Sequence, residues 1–207
     1  MHTKICYSED RSKILVLFYE AECVFSSFYP ARFTAPVLQN LLEGSDSGFE
    51  DYGMERKRLM FTSSEQYYMY HKALFARDEQ AAEQILKEQN PMKMKLLGRE
   101  LVMSKEQLDK WSQVSHGVMY HACFEKFSND ETCRKTLFRT HGMKLVEASP
   151  TAKVWGIGLD KNDKRCLTET NWKGHNWMGE ILDEVRERNC GRKRNSEEKK
   201  RKLRRRS

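Results

Sequence analysis

The sequence contains no long apolar run. No stretch approaches the roughly 18 consecutive apolar residues that a membrane-spanning helix requires, and 32% of the chain is charged. The first residues, MHTKICYSEDRSKI, are too polar for the apolar part of a signal peptide. We therefore expect a soluble intracellular protein that makes no contact with a membrane.

The chain also lacks the residue spacing of a metal site. Its 6 cysteines are scattered, with no C-x-x-C pair and no zinc-like pattern of cysteine and histidine. His116 and His121 are five residues apart, rather than the three or four that place two side chains on one helix face. We expect free thiols, surface or half-buried histidines, no metal and no cofactor.

An even spread of positive charge is missing as well. Residues 192–207 hold ten Lys or Arg and two Glu, a net of +8, whereas the whole chain carries +7 and the first 191 residues therefore −1. A near-neutral body differs from a fold that binds nucleic acid over a broad basic face. The segment RKRNSEEKKRKLRRRS is too charged to fold alone, so we expect a disordered basic tail over 192–207.

This tail has three open interpretations. Runs of Lys and Arg serve as nuclear-import signals, which bind an import receptor, or they contact the phosphates of nucleic acid without reading its sequence. A tail that only improves solubility is the third interpretation. We expect the protein in the nucleus, the cytoplasm or both.

The spacing of the apolar residues, with Gly and Pro at the expected turns, predicts a mostly helical α+β fold with a small sheet. One domain over residues 1–191 accounts for the length, with a polar surface loop at 41–57. Strands are expected at 13–19, 23–33 and 58–61 and around 145 and 155. Helices are expected at 62–76, 78–89, 91–98, 104–127, 130–139 and 177–189, the last of them stopped by Gly191.

Residues 144–179 form the most informative segment. Glu147 lies inside an apolar, strand-like run, although burying an unpaired carboxylate costs several kcal/mol. Several tryptophans and glycines follow, which neither an ordinary core strand nor a plain surface loop requires. The pattern is typical of the wall of a pocket for a flat, polar ligand. These residues are Trp155, Gly156, Gly158, Trp172, Gly174, Trp177 and Gly179.

A set of motifs follows in order along the chain: FSSFYPARF, TSSEQYYMYHKALF, Gly98-Arg99, Trp111, Lys126-Phe127, LVEAS, WGIGL and WKGHNWMG. The ordered set resembles the YbiA-like family, also called the NADAR domain, over roughly residues 15–188. The resemblance implies a YbiA-like α+β fold that hydrolyses N-glycosidic bonds. Relatives act on ribosylamino-pyrimidine phosphates or remove ADP-ribose from guanine bases. The implied partner is therefore a small phosphorylated ribosyl substrate or an ADP-ribosylated nucleic acid.

Glu65 and Glu147 are the catalytic candidates. The resemblance matches Glu65 to the acid of the family's T-S-E motif and Glu147 to the acid of L-V-E. Breaking the bond between ribose C1′ and a base nitrogen builds positive charge on the sugar, which a carboxylate can stabilise. Spacing alone offers another explanation, because Thr62 and Glu65 form a capping-box pattern. Glu147 could equally form an ion pair or a cap at a strand edge.

Seven further residues are candidates for substrate binding by the same resemblance. Two aromatic rings could hold the base, three polar side chains the ribose or its phosphates, and two glycines could let backbone N–H groups approach the ligand. Core packing, solvated charges and tight turns explain the same residues almost as well. In that order they are Trp111 and Trp155; Arg99, Lys173 and Asn176; and Gly156 and Gly174.

Two positions depart from the family's pattern. Ala152 stands where relatives usually carry an aspartate, three residues before the W-G-x-G tryptophan, and Ser27 replaces the usual asparagine of F-S-N-F. Alanine can neither accept a proton nor orient a water, although Asp160 or Asp163 could substitute for the missing acid. The alternative function is therefore an impaired enzyme that binds ADP-ribose or a nucleotide and is tethered to nucleic acid by its tail.

Overall fold

The structure is a computed structural model. It describes the backbone of residues 2–38 and 57–204, and the side chains of residues 2–38 and 57–191. The surface loop predicted at 41–57 lies outside the described residues, apart from Lys57.

The described residues form five strands, six α-helices and two short 3-10 helices. The strands are β1 (Thr3–Tyr7), β2 (Ile14–Phe18), β3 (Phe33–Pro36), β4 (Arg58–Phe61) and β5 (Lys144–Glu147). The α-helices are α1 (Ser64–Phe75), α2 (Glu79–Lys87), α3 (Pro91–Glu100), α4 (Lys105–Asn129), α5 (Glu131–Phe138) and α6 (Trp177–Arg204). The 3-10 helices are Lys164–Leu167 and Glu169–Asn171. The predicted class, a mostly helical α+β fold with a small sheet, is confirmed.

The chain divides into two compact units, which are described separately. The first unit combines residues 1–26 with 131–207, and the second comprises residues 27–130. In the first unit β2 is the central strand, antiparallel to β1 and parallel to β5. Its unbroken apolar sequence, ILVLF, suits a strand that is covered on both faces. Leu15, Leu17 and Val146 form the core of this unit.

The C-terminal helix α6 packs on β5 in the same unit. Asp183 of α6 accepts a hydrogen bond from the Leu145 N–H at 3.3 Å and pairs with Arg186 at 2.9 Å. Arg186 also donates to the Thr140 hydroxyl at 3.0 Å. These contacts fix the helix on the strand that carries Glu147.

Helix α1 is the centre of the second unit, and it packs against α2, α3 and α4. Ten of its 12 residues are buried, including Gln66 and the tyrosines Tyr67, Tyr68 and Tyr70. His71 lies in this core, where its Nε2 accepts from the Leu38 N–H at 3.0 Å and its Nδ1 lies 2.8 Å from the Tyr67 carbonyl oxygen. Burial lowers the pKa of His71 to about 4, so this histidine is a neutral structural residue.

Helix α4 begins where the sequence indicates. Ser104 and Gln107 form a capping box, with the Gln107 N–H donating to the Ser104 hydroxyl and the Ser104 N–H donating to the Gln107 side chain. The predicted strand at 58–61 and the strand around residue 145 are also present, as β4 and β5. These elements carry strong local signals, which explains the agreement.

Two predicted strands are wrong. Residues 23–32 form successive turns rather than an extended segment, with the Ser26 N–H bonded to the Cys23 carbonyl at 2.9 Å, and only Phe33–Pro36 is a strand. Phe25 is nevertheless buried, with its ring 5.6 Å from that of Phe18. The backbone on either side of Trp155 bonds to residues 173–178 instead of forming a strand, although the Ile157 N–H donates to the Glu147 carbonyl at the end of β5. Strand β1, conversely, was not expected, because TKICY is only five residues long and does not alternate between polar and apolar residues.

Helix α6 extends beyond its predicted end at residue 189. The backbone remains helical to Arg204. Gly191 does not adopt the left-handed conformation of a helix stop, since Gly142 and Gly158 are the positive-φ glycines of the described chain. The Glu, Lys and Arg residues that follow it are good helix formers. No helix within the described residues is long and apolar enough to cross a membrane.

Candidate active site

At the start of α1, the residue that caps the helix differs from the residue that is the catalytic candidate. Ser63 caps the helix, because its hydroxyl accepts the Gln66 N–H at 3.1 Å. The Gln66 side chain reaches back and accepts the Thr62 N–H at 2.7 Å. The capping box predicted for Thr62 and Glu65 is therefore wrong, because Ser63 and Gln66 form the capping hydrogen bonds. The Glu65 carboxylate therefore takes no part in capping the helix.

Glu65 is buried, with 5% of its surface exposed. Its Oε2 accepts a hydrogen bond from the Ser27 hydroxyl at 2.9 Å, and its backbone N–H donates to the Ser27 carbonyl at 3.0 Å. Two bonds to one residue fix both the backbone and the side chain of the acid. The serine that replaces the family's asparagine is thus a direct partner of the candidate catalytic group.

Opposing effects act on the charge of Glu65. Burial raises the pKa of its carboxyl group, while Lys95, the Ser27 hydroxyl and Arg99 lower it. Lys95 and Arg99 are four residues apart on α3 and therefore share a face of that helix. A buried acid beside two cations is a common arrangement where an enzyme tunes a carboxylate.

Tyr68 lies one helical turn after Glu65. The Trp111 Nε1–H donates to the Tyr68 hydroxyl at 3.2 Å, and the Trp111 ring centroid lies 5.2 Å from that of Tyr68 and 5.5 Å from that of Phe75. Burial, with a contribution from the Glu65 charge, raises the pKa of Tyr68. Trp111 is only 6% exposed. The Trp111 ring is therefore packed in the core, and its N–H supports Tyr68.

Glu147 is the last residue of β5 in the other unit. Its neighbours Val146 and Ala148 are fully buried, while Glu147 is half-buried. Its backbone N–H donates to the Asn176 side-chain oxygen at 2.9 Å, and its carbonyl accepts the Ile157 N–H at 2.9 Å. The strand end that carries this second acid is therefore rigidly held.

Asn176 holds that strand end through its side chain. Its side chain accepts from the Glu147 N–H and donates to the Leu145 carbonyl at 3.0 Å, so it occupies the position of a further strand partner. The residue is 0% exposed and has a positive φ of 60°. Both polar side-chain atoms of Asn176 therefore form hydrogen bonds within the fold.

Gly156 and Gly174 are required by close backbone packing. A Cβ on Gly156 would lie 2.6 Å from the Glu147 carbonyl oxygen, and a Cβ on Gly174 would lie 2.3 Å from the Gly156 carbonyl oxygen. Both distances are shorter than any normal carbon contact. The backbone that approaches these glycines belongs to the protein itself, whereas the prediction assigned that approach to a ligand.

Trp155 and Lys173 retain accessible surface. Trp155 is half-buried, and its ring meets that of Trp177 edge to face at 5.7 Å. Lys173 is exposed, and its N–H donates to the Ile157 carbonyl at 2.9 Å. His175, whose ring centroid lies 6.2 Å from that of Trp177, was not among the predicted residues. These side chains can contact a ligand without disrupting the fold.

A family model described as the NADAR domain matches residues 17–188. The chain belongs to the NADAR domain family. The resemblance inferred from the ordered motifs is thereby confirmed. Within this NADAR domain the two candidate acids, Glu65 and Glu147, both fall inside the matched residues.

Several relatives of this NADAR domain are known. The chain is 63% identical over 187 residues to the Caenorhabditis elegans protein irg-1, which covers 90% of this chain and 85% of that protein. It is 31% identical over 166 residues to an N-glycosidase of Acanthamoeba polyphaga mimivirus, covering 80% of this chain and 87% of the relative. The NMR structure of the Escherichia coli protein YbiA matches with a TM-score of 0.60, at 25% identity over 86% of each chain.

Ala152 occupies the position where the family pattern has an aspartate, and two acids follow it in the sequence, Asp160 and Asp163. Ala152 is half-buried, and its N–H donates to the Ser149 hydroxyl at 3.1 Å. Asp163 is paired with Arg165 at 2.6 Å, which helps to hold its pKa at about 2. Asp160 accepts the Asn162 N–H at 2.8 Å. Both acids suggested as substitutes are therefore engaged in local turns of this NADAR domain.

Sequence reasoning missed two partners of Glu65 in this NADAR domain. Ser27 was noted only as a departure from the family, and Lys95 was not singled out. The available signal for Lys95 was its position four residues before Arg99 in a segment that predicts a helix.

Among the described residues, no group of three or more His, Cys, Asp or Glu side chains could hold a metal ion.

Proposed function

We propose that this NADAR domain is an N-glycosidase that uses the Glu65 carboxylate to hydrolyse the bond between a phosphorylated ribose and a nitrogen base. The observation that carries the proposal is a buried carboxylate, bonded to Ser27, that has no part in capping its helix. Relatives from a mimivirus and from Shigella boydii, each 31% identical, are named N-glycosidases. Both the site and the family therefore favour the same reaction class.

The reaction places clear demands on the acid. As the C1′–N bond breaks, its electron pair leaves with the base and positive charge develops on the ribose. An ionised Glu65 stabilises that charge or orients the water whose oxygen bonds to C1′, and the departing nitrogen takes up a proton. The family resemblance makes Glu147 a second candidate acid. General acid or base catalysis of this kind contributes roughly 10²–10⁴-fold.

The substrate class follows from the cations. Arg99 and Lys173 are exposed and suit charge-assisted bonds to phosphate oxygens. Trp155 offers a half-buried ring for the base. We propose a ribosylamino-pyrimidine phosphate or an ADP-ribosylated base as the substrate.

The basic segment at 192–207 gives the protein a second contact. Its net charge of +8 suits the phosphates of nucleic acid or the acidic surface of an import receptor. We propose that it directs the protein to the nucleus or holds it on polynucleotide, which would bring the domain close to ADP-ribosylated bases.

A second candidate function is favoured by Ala152. If the family's aspartate is essential, this chain binds ADP-ribose or a related nucleotide without cleaving it. The half-buried alanine cannot orient a water, and the nearby acids Asp160 and Asp163 serve local turns. The protein would then be a binding module.

One comparison separates the two functions. Wild type, Glu65→Gln and Ala152→Asp are each incubated with a ribosylamino-pyrimidine phosphate and with an oligonucleotide that carries ADP-ribosylated guanine. Wild-type turnover that Glu65→Gln abolishes is the expected result. Turnover only in Ala152→Asp, with ligand binding by wild type in calorimetry, would instead identify a degenerate enzyme that acts as a binder.

A further inference from the structure

A lysine that the reaction scheme does not use lies beside the Glu65 site. The Lys95 Nζ is 5.3 Å from the centroid of the Phe28 ring, a distance at which an ammonium group and an aromatic face attract each other. Phe28 directly follows Ser27, which bonds both the backbone and the carboxylate of Glu65. The Lys95 ammonium group therefore lies against Phe28, the residue next to the one that bonds the Glu65 carboxylate.

Helix α3 keeps this lysine in place. The helix passes so close to α1 that a Cβ on Gly98 would lie 2.2 Å from the sulfur of Met69. Lys72 of α1 also donates to the Gly98 carbonyl at 2.6 Å. Because Lys95 and Gly98 are one turn apart, the close contact at Gly98 fixes the position of Lys95 relative to the helix that carries Glu65.

The charged and titratable groups that face Glu65 within the described residues are few. Lys95 and Arg99 approach from α3, and Tyr68 lies on α1 itself. Burial raises the pKa of the Glu65 carboxyl, and Lys95 opposes this more strongly than either the Ser27 hydroxyl or Arg99 does. Arg99 is exposed, so water and salt weaken its field, whereas Lys95 is half-buried.

We propose that Lys95 is a positioning residue of this site, whose ammonium group holds the neighbouring Glu65 side chain in the ionised form that the reaction needs. Without this cation the buried acid would take up a proton at a higher pH and could no longer stabilise charge on the ribose. The kinetic consequence rests on the proposed N-glycosidase function. The coupling between the two side chains does not, and it can be measured separately.

The kinetic test follows kcat/KM against pH for wild type, Lys95→Met, Lys95→Arg and the control Lys93→Met. Methionine retains the length of the side chain and removes its charge, and Lys93 is an exposed lysine on the same helix. We expect the acid limb of the Lys95→Met profile to move up by about one pH unit, a tenfold change in proton affinity. Lys95→Arg and Lys93→Met should retain the wild-type limb. A Lys95→Met enzyme whose KM rises equally at every pH would overturn the proposal, since that result identifies a plain substrate contact.

A stability cycle tests the same coupling without any substrate. Unfolding of wild type, Glu65→Gln, Lys95→Met and the double variant is measured at pH 8 and at pH 5. At pH 8 we expect Glu65→Gln to stabilise the Lys95→Met protein more than it stabilises wild type, by about tenfold in the unfolding equilibrium constant. The difference should shrink at pH 5.

Together the two tests show whether the role of Lys95 or the N-glycosidase function has failed. Coupling at pH 8 in a protein that turns over neither substrate would sustain the role of Lys95 while refuting the N-glycosidase function. Absence of coupling at both pH values overturns the role of Lys95, whatever the activity. If Lys95→Met does not fold, Lys95→Gln replaces it in the same cycle, with Lys95→Arg as the variant that retains the charge.

Discussion

Glu65 contributes little to holding the helix on which it stands. Ser63 supplies the cap and Gln66 closes the turn before it, while the carboxylate is buried with Ser27 as its hydrogen-bond donor. A buried charge costs free energy unless it is well compensated. The position is therefore better explained by chemistry than by stability.

Because Ser63 caps the helix and Glu65 does not, substitutions of these two residues should affect stability in opposite ways. Ser63→Ala removes the cap and should lower the free energy of unfolding by about 1 kcal/mol. Glu65→Gln retains an acceptor for Ser27 and removes a buried charge, so the variant should be at least as stable as wild type at pH 8. Chemical denaturation measures both values. A larger loss in Glu65→Gln than in Ser63→Ala would show that the acid is structural.

Asn176 is a residue whose polar atoms belong to the fold. Asn176→Ala leaves the Glu147 N–H and the Leu145 carbonyl without their partner in a buried setting, so we expect a loss of about 2–4 kcal/mol in the free energy of unfolding. Asn171 is exposed and is the matched control, and its alanine variant should change stability by less than about 0.5 kcal/mol. Equal, small effects in the two variants would contradict the account of Asn176.

At the scale of helices and strands, the sequence predicts an element correctly where its local signal is strong. The Ser104–Gln107 capping box marks the start of α4, and the apolar run ILVLF marks the central strand β2. The segment around Trp155 has no such signal for its true partner. It bonds to His175 in the preceding loop and to Met178 in the first turn of α6, a pairing that depends on tertiary structure and not on local sequence.

The contact between α6 and β5 contains a titrating group. Burial raises the pKa of Asp183 to about 6 from an ordinary value of 3.8, although Arg186 and the Leu145 N–H favour its charged form. Since the folded state holds this proton more tightly, the contribution to stability is complete below about pH 4 and is lost as the pH rises through about 6.

Asp183→Asn cannot titrate, so the difference in unfolding free energy between it and wild type reports this group alone. Between pH 4 and pH 8 we expect the difference to shift by about 1–3 kcal/mol in favour of the variant. Most of the shift should fall near pH 6. Thermal or urea unfolding at intervals of half a pH unit measures it, and a difference that does not vary with pH would refute the prediction.

At the scale of the whole molecule, the charge is concentrated in one segment. The last 16 residues carry +8 while the first 191 carry −1. The family and the fold class could be predicted from the ordered motifs, and the same motifs suggest the candidate acids. The structural roles of Trp111 and Asn176 could not be predicted, because core aromatics and ligand-binding aromatics are the same residue types and an amide does not reveal its partner.

Removal of residues 192–207 should separate two properties of the protein. Binding to a DNA duplex should weaken strongly, because the basic residues release counterions from the phosphates, whereas the melting temperature should stay within about 2 °C of the full-length value. If about half of the ten cations contact phosphate, the full-length protein should show a slope of about −4 to −5 for log K against log salt. Unchanged binding after truncation would locate the contact elsewhere.

The most direct test of the central claim is single-turnover hydrolysis by wild type and Glu65→Gln on the substrate that wild type cleaves. We predict a rate lower by about 10²–10⁴-fold in Glu65→Gln, with no loss in the free energy of unfolding. A Glu65→Gln protein that cleaves the C1′–N bond at the wild-type rate would contradict the assignment of Glu65 as the catalytic carboxylate.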